Sequence, residues 1–359
     1  MHPHSLSSID HIELYVFNAF QAANFYRIAF GFDVVAYAGP ETGLKDKISY
    51  LLRQGSINLI ISSSIKKDSS ILKHVIDHDE SIKDIAFKVN NASRIYEEVM
   101  KKGAKSLLEP TIIDDGKTRI MKATIATFGN TVHSFIERQN SSSYELPFYS
   151  FLNYSPNTQL VGLESVDHIA IAIDTGNIER WVNFYQETLG FVTSSSEDIY
   201  TGASGMKSVV VTDISKTIKF VLVEGVSGEK KSQIENFVSH HGCPGVQHLA
   251  FSSKNIINTA ALLQKQGIKF LEIPESYYDG IPPTLKAMLQ DKLDAIQRSS
   301  ILVDLEENGY LMQMFTRPLQ NRPTFFIEII QRENSTGFGS NNIRALYEAV
   351  EKDQRRAKV

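Results

Sequence analysis

Cysteine is almost missing: Cys243 is the only one in 359 residues. No disulfide can form within the chain, so nothing marks an oxidising compartment. Long apolar runs are missing as well, since no stretch reaches the ~18 residues of a membrane span. Basic charge is not in excess: 37 Lys and Arg face 41 Asp and Glu, and a net charge of −4 leaves no electrostatic footprint for nucleic acid. The opening residues, MHPHSLSSIDHIEL, have neither a basic nor an apolar leader region, so no signal peptide is expected. What is present is globular, with 42% hydrophobic and 22% charged residues over a length suited to roughly two domains. The expectation is a cytoplasmic protein acting on a small molecule, without membrane or nucleic-acid partners. A homo-oligomer is compatible with this composition, and no residue pattern specifies one.

The chain repeats itself. IDHIELYVFNAFQAANFYRIAFGF from Ile9 parallels VDHIAIAIDTGNIERWVNFYQETLGF from Val166. Each opens on an apolar residue, Asp and His, and runs through a β-rich stretch into a helical pattern. Each closes on Gly-Phe (Gly31-Phe32 and Gly190-Phe191), where glycine is a natural helix stop. A second pair, from Lys83 and from Val246, reads strand, helix, Gly, strand, Pro, with Gly103–Pro110 and Gly267–Pro274 equally separated. Strand patterns fall between these anchors at Ser49–Leu52, Ile57–Ile61, Thr124–Phe128, Ser208–Thr212, Thr217–Val223, Ser300–Leu305 and Tyr310–Phe315. Each module is then roughly βαβββ, and four modules pair into two domains of α+β class, residues 1–150 and 151–359. The seam falls in Ser141–Gln159, rich in Ser, Asn and Pro. Asn342–Lys358 reads as a helix with Ile343, Leu346, Tyr347 and Val350 on one face, capped by Asn341 or Asn342.

His168 and His248 lie in the first strands of the third and fourth modules, and Glu328 lies in the later strand TFFIEII. A lone strand histidine is more often a satisfied core residue. Here the repeat makes the two strands symmetry-related, so a barrel of two modules would bring both together. Period-two alternation puts Phe326, Glu328 and Ile330 on one face, where a buried carboxylate is costly unless a cation or hydrogen bonds compensate it. Two imidazoles and one carboxylate form a facial triad that suits Fe(II), with zinc the rival on ligand type alone. The N-terminal half offers His11, Asp84 and Glu137 at related positions, read as a decayed copy kept for packing. His240 and His241 read as a solvated polar loop, and Cys243 as structural or incidental.

The blocks VDHIA, KKSQIENF, GVQHLAF, ESYYDG, GYLMQMFTRP, FFIEIIQR and GFGSNNIRALYEAVE resemble those of the 4-hydroxyphenylpyruvate dioxygenase family, within the vicinal-oxygen-chelate superfamily. The resemblance covers nearly the whole chain. It implies an open β-barrel around Fe(II) in the C-terminal half, held by His168, His248 and Glu328, and a C-terminal helix that gates it. It also implies that Ser208, Gln233, Gln247, Gln313, Phe315, Phe326, Phe338 and Asn342 line a pocket for 4-hydroxyphenylpyruvate, which reacts with O2. Alternation points Gln247 away from the metal, which suggests support behind a ligand. The family has two outcomes, ring attack giving homogentisate and benzylic hydroxylation giving 4-hydroxymandelate. Where it usually reads Phe-Pro-Ile-Asn-Glu-Pro, this chain has Phe220-Val221-Leu222-Val223-Glu224-Gly225, and Ile343 replaces a usual Phe. Val223 and Ile343 are similar to the hydroxymandelate-forming branch, so benzylic hydroxylation is expected.

Overall fold

The computed structural model describes residues 6–138, 144–152, 160–200, 204–306 and 309–356, side chains of 349–356 excepted. The first module is β1 (Ser8–Tyr15), the helix Ala19–Phe30, β2 (Asp33–Ala38), β3 (Lys47–Gln54) and β4 (Ile57–Ser64). The second is β5 (Ser81–Lys88), the helix Ala92–Lys101, β6 (Ser106–Asp114), β7 (Arg119–Ala126) and β8 (Val132–Arg138). After a two-residue edge strand, β9 (Ser150–Phe151), the third module supplies β10 (Leu163–Ile173), β11 (Val192–Tyr200), β12 (Ser204–Thr212) and β13 (Lys219–Ser227). The fourth supplies β14 (Gly245–Ser253), the helix Ile256–Lys265, β15 (Leu302–Glu306), β16 (Gly309–Phe315) and β17 (Phe326–Glu333).

Pairing repeats as the sequence does. One sheet runs β6-β7-β8-β5-β1-β4-β3-β2-β9 and the other β11-β12-β13-β10-β14-β17-β16-β15. With β9 set aside, the two orders are the same, module for module. In each sheet the first strands of two modules pair antiparallel, β1 with β5 and β10 with β14. The fold is therefore α+β, built of paired βαβββ modules, and the C-terminal sheet curls into a half-barrel. Gly31 and Gly190 both end their helical segments at φ 73°, a left-handed position that glycine occupies without a Cβ penalty. A continuous apolar core joins the halves. At its centre His133 on β8 meets the Tyr185 hydroxyl at 2.9 Å, and both are fully buried beside Phe87 and Phe220.

Several expected boundaries shift. Phe128 stands in the turn after β7, β12 begins at Ser204, and β13 runs on to Ser227. Phe184–Thr188 makes a π-helical turn instead of continuing the α-helix of Ile178–Asn183. The C-terminal helix is Ser340–Arg356, so Asn341 and Asn342 fall inside its first turn and do not cap it. Asp304 takes that role, accepting from the Asn341 backbone N–H at 3.0 Å and its side chain at 2.9 Å. Of the seam Ser141–Gln159, residues 141–143 and 153–159 lie outside the described residues, as does Lys358. No helix among the described residues is long and apolar enough to cross a membrane.

Candidate metal centre and its pocket

Three central strands of the half-barrel bring His168, His248 and Glu328 together. Nε2 of each histidine lies 3.2 Å from Glu328 Oε2. Ligands bonded to one divalent ion at about 2.1 Å sit roughly 3.0–3.4 Å apart, so the donors are spaced for a shared metal. Alanines stand across the strands and leave room: Ala250 opposite His168 and Glu328, Ala170 opposite His248. Burial alone would raise the Glu328 carboxyl, but the two imidazoles outweigh it and hold the group down at about 2. Burial would lower both histidines. His168, flanked by Glu328 and Asp167, is nonetheless raised, whereas His248 has only Glu328 and stays lowered.

Two of the three ligands are held from behind by hydrogen bonds. The His168 Nδ1–H donates to Asp167 Oδ1 at 2.9 Å, which turns Nε2 towards Glu328. Arg332 in turn donates Nε to Asp167 Oδ2 at 2.8 Å and Nη2 to Oδ1 at 2.9 Å. These bonds hold Asp167 well below the usual carboxylate range despite its burial. Gln313 Nε2 donates to Glu328 Oε1 at 3.0 Å, and its Oε1 accepts from Asn342 at 2.9 Å. His248 Nδ1 is buried without a hydrogen-bond partner.

The triad opens on a cavity of about 180 Å³, small enough for a compact organic acid. Ser208, Gln233, Gln247, Gln313, Phe315, Phe338, Val223 and Ile343 all line it, as do Ser195 and Glu197. Phe326 and Asn342 stand behind the wall. Phe326 stacks on the His248 ring at 4.7 Å, and Asn342 accepts from the Tyr277 hydroxyl at 2.6 Å. Gln247 shares the cavity with its neighbour His248, contrary to simple alternation, because the β10–β14 register shifts there and leaves a bulge. Gln233 Oε1 and Glu197 Oε2 are buried acceptors without a partner. Phe338 meets the His168 ring edge-on at 5.1 Å and lies under the Arg332 guanidinium. The C-terminal helix covers the cavity with Ile343 and Leu346 and is tied down at Tyr347, whose hydroxyl meets Ser204 at 2.7 Å.

Asp167, Arg332 and Glu197 were not singled out from the sequence. A signal existed for Asp167, since both repeats open with Asp-His. For Arg332, 165 residues away from it, the only signal was the arginine that recurs at Arg138 in the other half.

The N-terminal half carries a different set of side chains at the equivalent positions. Register makes His11, Asp84 and Ser134 the counterparts of His168, His248 and Glu328. Glu137 is not among them: it accepts from the Ala92 N–H at 2.9 Å and caps a helix. Asp10 and Arg138 reproduce the Asp167–Arg332 pair, with Asp10 Oδ1 2.5 Å from His11 Nδ1. Lysines take up the space. Lys122 pairs with Asp84 at 3.2 Å and Lys47 with Glu13 at 3.0 Å.

His240 and His241 are not in a loop, because the helix Gln233–His241 extends through both. His240 is exposed, but His241 is buried against Phe237 and His78, and burial brings it down to about 4.

Two paired βαβββ sheets with a His2-carboxylate triad in one of them define an enzyme of the vicinal-oxygen-chelate class. Residues 165–281 match the Glyoxalase/Bleomycin resistance protein/Dioxygenase superfamily, and residues 3–149 match "Hydroxyphenylpyruvate dioxygenase, HPPD, N-terminal". The 4-hydroxyphenylpyruvate dioxygenase of Yarrowia lipolytica is 36% identical over 98% of this chain and 93% of its own. That of Danio rerio is 36% identical over 96% of this chain and 90% of its own. A triple mutant of 4-hydroxymandelate synthase from Streptomyces coelicolor superposes with a TM-score of 0.86 at 32% identity, covering 97% of this chain and 99% of that one. The chain belongs to the 4-hydroxyphenylpyruvate dioxygenase family and is a dioxygenase.

Proposed function

We propose that the protein converts 4-hydroxyphenylpyruvate and O2 to 4-hydroxymandelate and CO2, using one Fe(II) held by His168, His248 and Glu328. The domain of residues 1–150 carries the degenerate copy of the site and residues 151–359 the working one. Bound iron would supply O2 activation and oxidative decarboxylation of the 2-oxo acid. The chain's own residues govern what is attacked. Gln233 and Glu197 offer unpartnered acceptors for the phenol hydroxyl, with Ser208 beside them. Phe315 and Phe338 are apolar walls for the ring, and Gln247 and Gln313 are donors near the ligands. Phe326 and Asn342 act from behind, the one on His248 and the other on Gln313.

The observation that carries the reading is the apolar wall of Val223 and Ile343, which pack in one cluster with Phe338. Neither residue offers an amide or a π face to hold the ring edge forward. The benzylic carbon is then the position left nearest the metal. A second reading, ring attack giving homogentisate, is favoured by the name that the relatives at 36% identity carry. The protein is taken to be cytoplasmic, and a homo-oligomer is compatible with this reading.

Chromatography of the products formed from 4-hydroxyphenylpyruvate with Fe(II) and O2 tests the proposal. 4-Hydroxymandelate is the expected main product, and homogentisate alone would overturn the reading. Ile343→Phe should move product towards homogentisate, by a ratio of about tenfold if the ring position is worth ~1.4 kcal/mol.

A further inference from the structure

The seam between the two halves holds another group of metal-binding side chains, away from the pocket. His78 ends the helix Ser70–His78 of the N-terminal half, and His241 ends the helix Gln233–His241 of the C-terminal half. Cys243 follows in the next bend. The donor atoms of the three lie within 4.8 Å of one another. Cys243 Sγ is 3.6 Å from Nδ1 of His78 and 3.6 Å from Nδ1 of His241. An ion bonded tetrahedrally at about 2.3 Å to sulfur and about 2.0 Å to nitrogen puts those atoms roughly 3.5 Å apart. The rings are stacked, with centroids 5.0 Å apart, and are 5% and 3% exposed.

The surroundings hold these donors in position. A Cβ on Gly129 would come within 2.8 Å of Cys243 Sγ, and one on Gly245 within 2.5 Å of the His241 ring. Arg322 reaches across the seam and donates to the carbonyls of Ile76, Asp77 and His240, which fixes both helix ends.

We propose that His78, His241 and Cys243 form a second metal site, for an ion of the zinc class that accepts thiolate with imidazole, and that the ion clamps the two halves together. On binding, the thiol releases its proton to solvent and each Nδ1 gives up its N–H. The carbonyls of His241 and Cys243, which meet those nitrogens at 2.8 Å, are released. The imidazole protons move to Nε2, and at His78 the Asn130 side chain, whose Nδ2 now donates to Nε2, turns its amide oxygen round to accept instead. A fourth position is left for water.

Titration with Co2+ separates this site from the pocket. His248→Ala disables the triad and leaves the seam intact, so this variant should bind one Co2+ with a thiolate-to-metal charge-transfer band in the near ultraviolet. Adding Cys243→Ser should abolish the band and the binding. Absence of the band from His248→Ala, or equal Co2+ stoichiometry with and without Cys243, would overturn the proposal. Because Cys243 is the sole thiol, alkylation gives a second readout on the unaltered chain. Zn2+ in excess of two equivalents, enough to fill the triad as well, should slow iodoacetamide by about tenfold or more, because the metal withdraws the nucleophilic thiolate. An unchanged rate would overturn it too. His78→Gln, which keeps the thiol, should restore fast alkylation in the presence of Zn2+.

Discussion

Replacing Asp167 by asparagine separates two jobs that one carboxylate performs. Its Oδ1 accepts from His168 and from Arg332, and its Oδ2 accepts from Arg332 at 2.8 Å. An amide keeps one oxygen and turns an N–H2 towards a donor. Whichever way the amide faces, a largely buried guanidinium loses its counter-charge, with side chains 16% and 8% exposed. Breaking a buried pair costs about 3–5 kcal/mol, and Arg332 keeps the Gly337 carbonyl and the Phe338 ring, so about 3 is expected. If its N–H2 faces His168, Nδ1 also loses the acceptor that sets its tautomer, and metal affinity falls by about 10–100-fold. Urea unfolding of metal-free protein reads the first loss and Fe2+ titration reads the second. Asp10→Asn is the internal control: it breaks the same pair beside His11, where lysines stand in for a metal. It should lower stability comparably and leave Fe2+ affinity within about twofold. If Asp167→Asn is destabilised yet binds Fe2+ as tightly as the parent, Asp167 is only a counter-ion and the argument from ligand orientation fails.

Two further outcomes follow from buried groups. Glu13 is held down at about 2 from an ordinary 4.5: burial would raise it, but Lys47, Lys122 and Ser62 outweigh that. A depressed carboxyl contributes its stability above pH ~4.5 and loses it as pH falls through 2, an amount of about 3 kcal/mol. Acid unfolding followed by circular dichroism should therefore be shallower over that window in Glu13→Gln, and an unchanged slope would refute the assignment. Tyr185→Phe leaves His133 Nε2 buried without its partner at 2.9 Å and should cost about 1–3 kcal/mol in urea unfolding; a cost below about 0.5 would show that the bond adds nothing across the seam.

The repeat made the architecture legible, because matched Gly-Phe stops and Asp-His starts recur where equivalent strands begin. The two histidines followed from the same symmetry, and Glu328 from the two-residue alternation of its strand. Gln247 was misread because a bulge breaks the two-residue period that assigns a face, and a bulge leaves no mark in hydrophobic alternation. His241 was misread because HHGCPG has the composition of a turn, while Gly242 in fact stops a helix at φ 86°. The three short α-helices and one 3-10 turn between Glu275 and Arg298 are an insertion with no counterpart in the other modules, so the repeat could not forecast them. Glu137 looked like a counterpart of Glu328 by residue type, whereas strand register selects Ser134. Partners far apart in the chain, such as Arg332 with Asp167 or Glu197 with Ser340, depend on how the sheet closes, which no local pattern encodes.

Lysines 47 and 122 give one half of the molecule its positive charges as covalent parts of the chain. That half needs nothing from solution to neutralise its interior. The other half leaves a negative centre for an ion to complete. If an ion fills that centre, its removal falls on one half: the C-terminal sheet is left with an uncompensated carboxylate, while the N-terminal sheet keeps its lysine pairs. A chelator should accordingly loosen β10, β14 and β17 to amide exchange while β1, β5 and β8 stay protected.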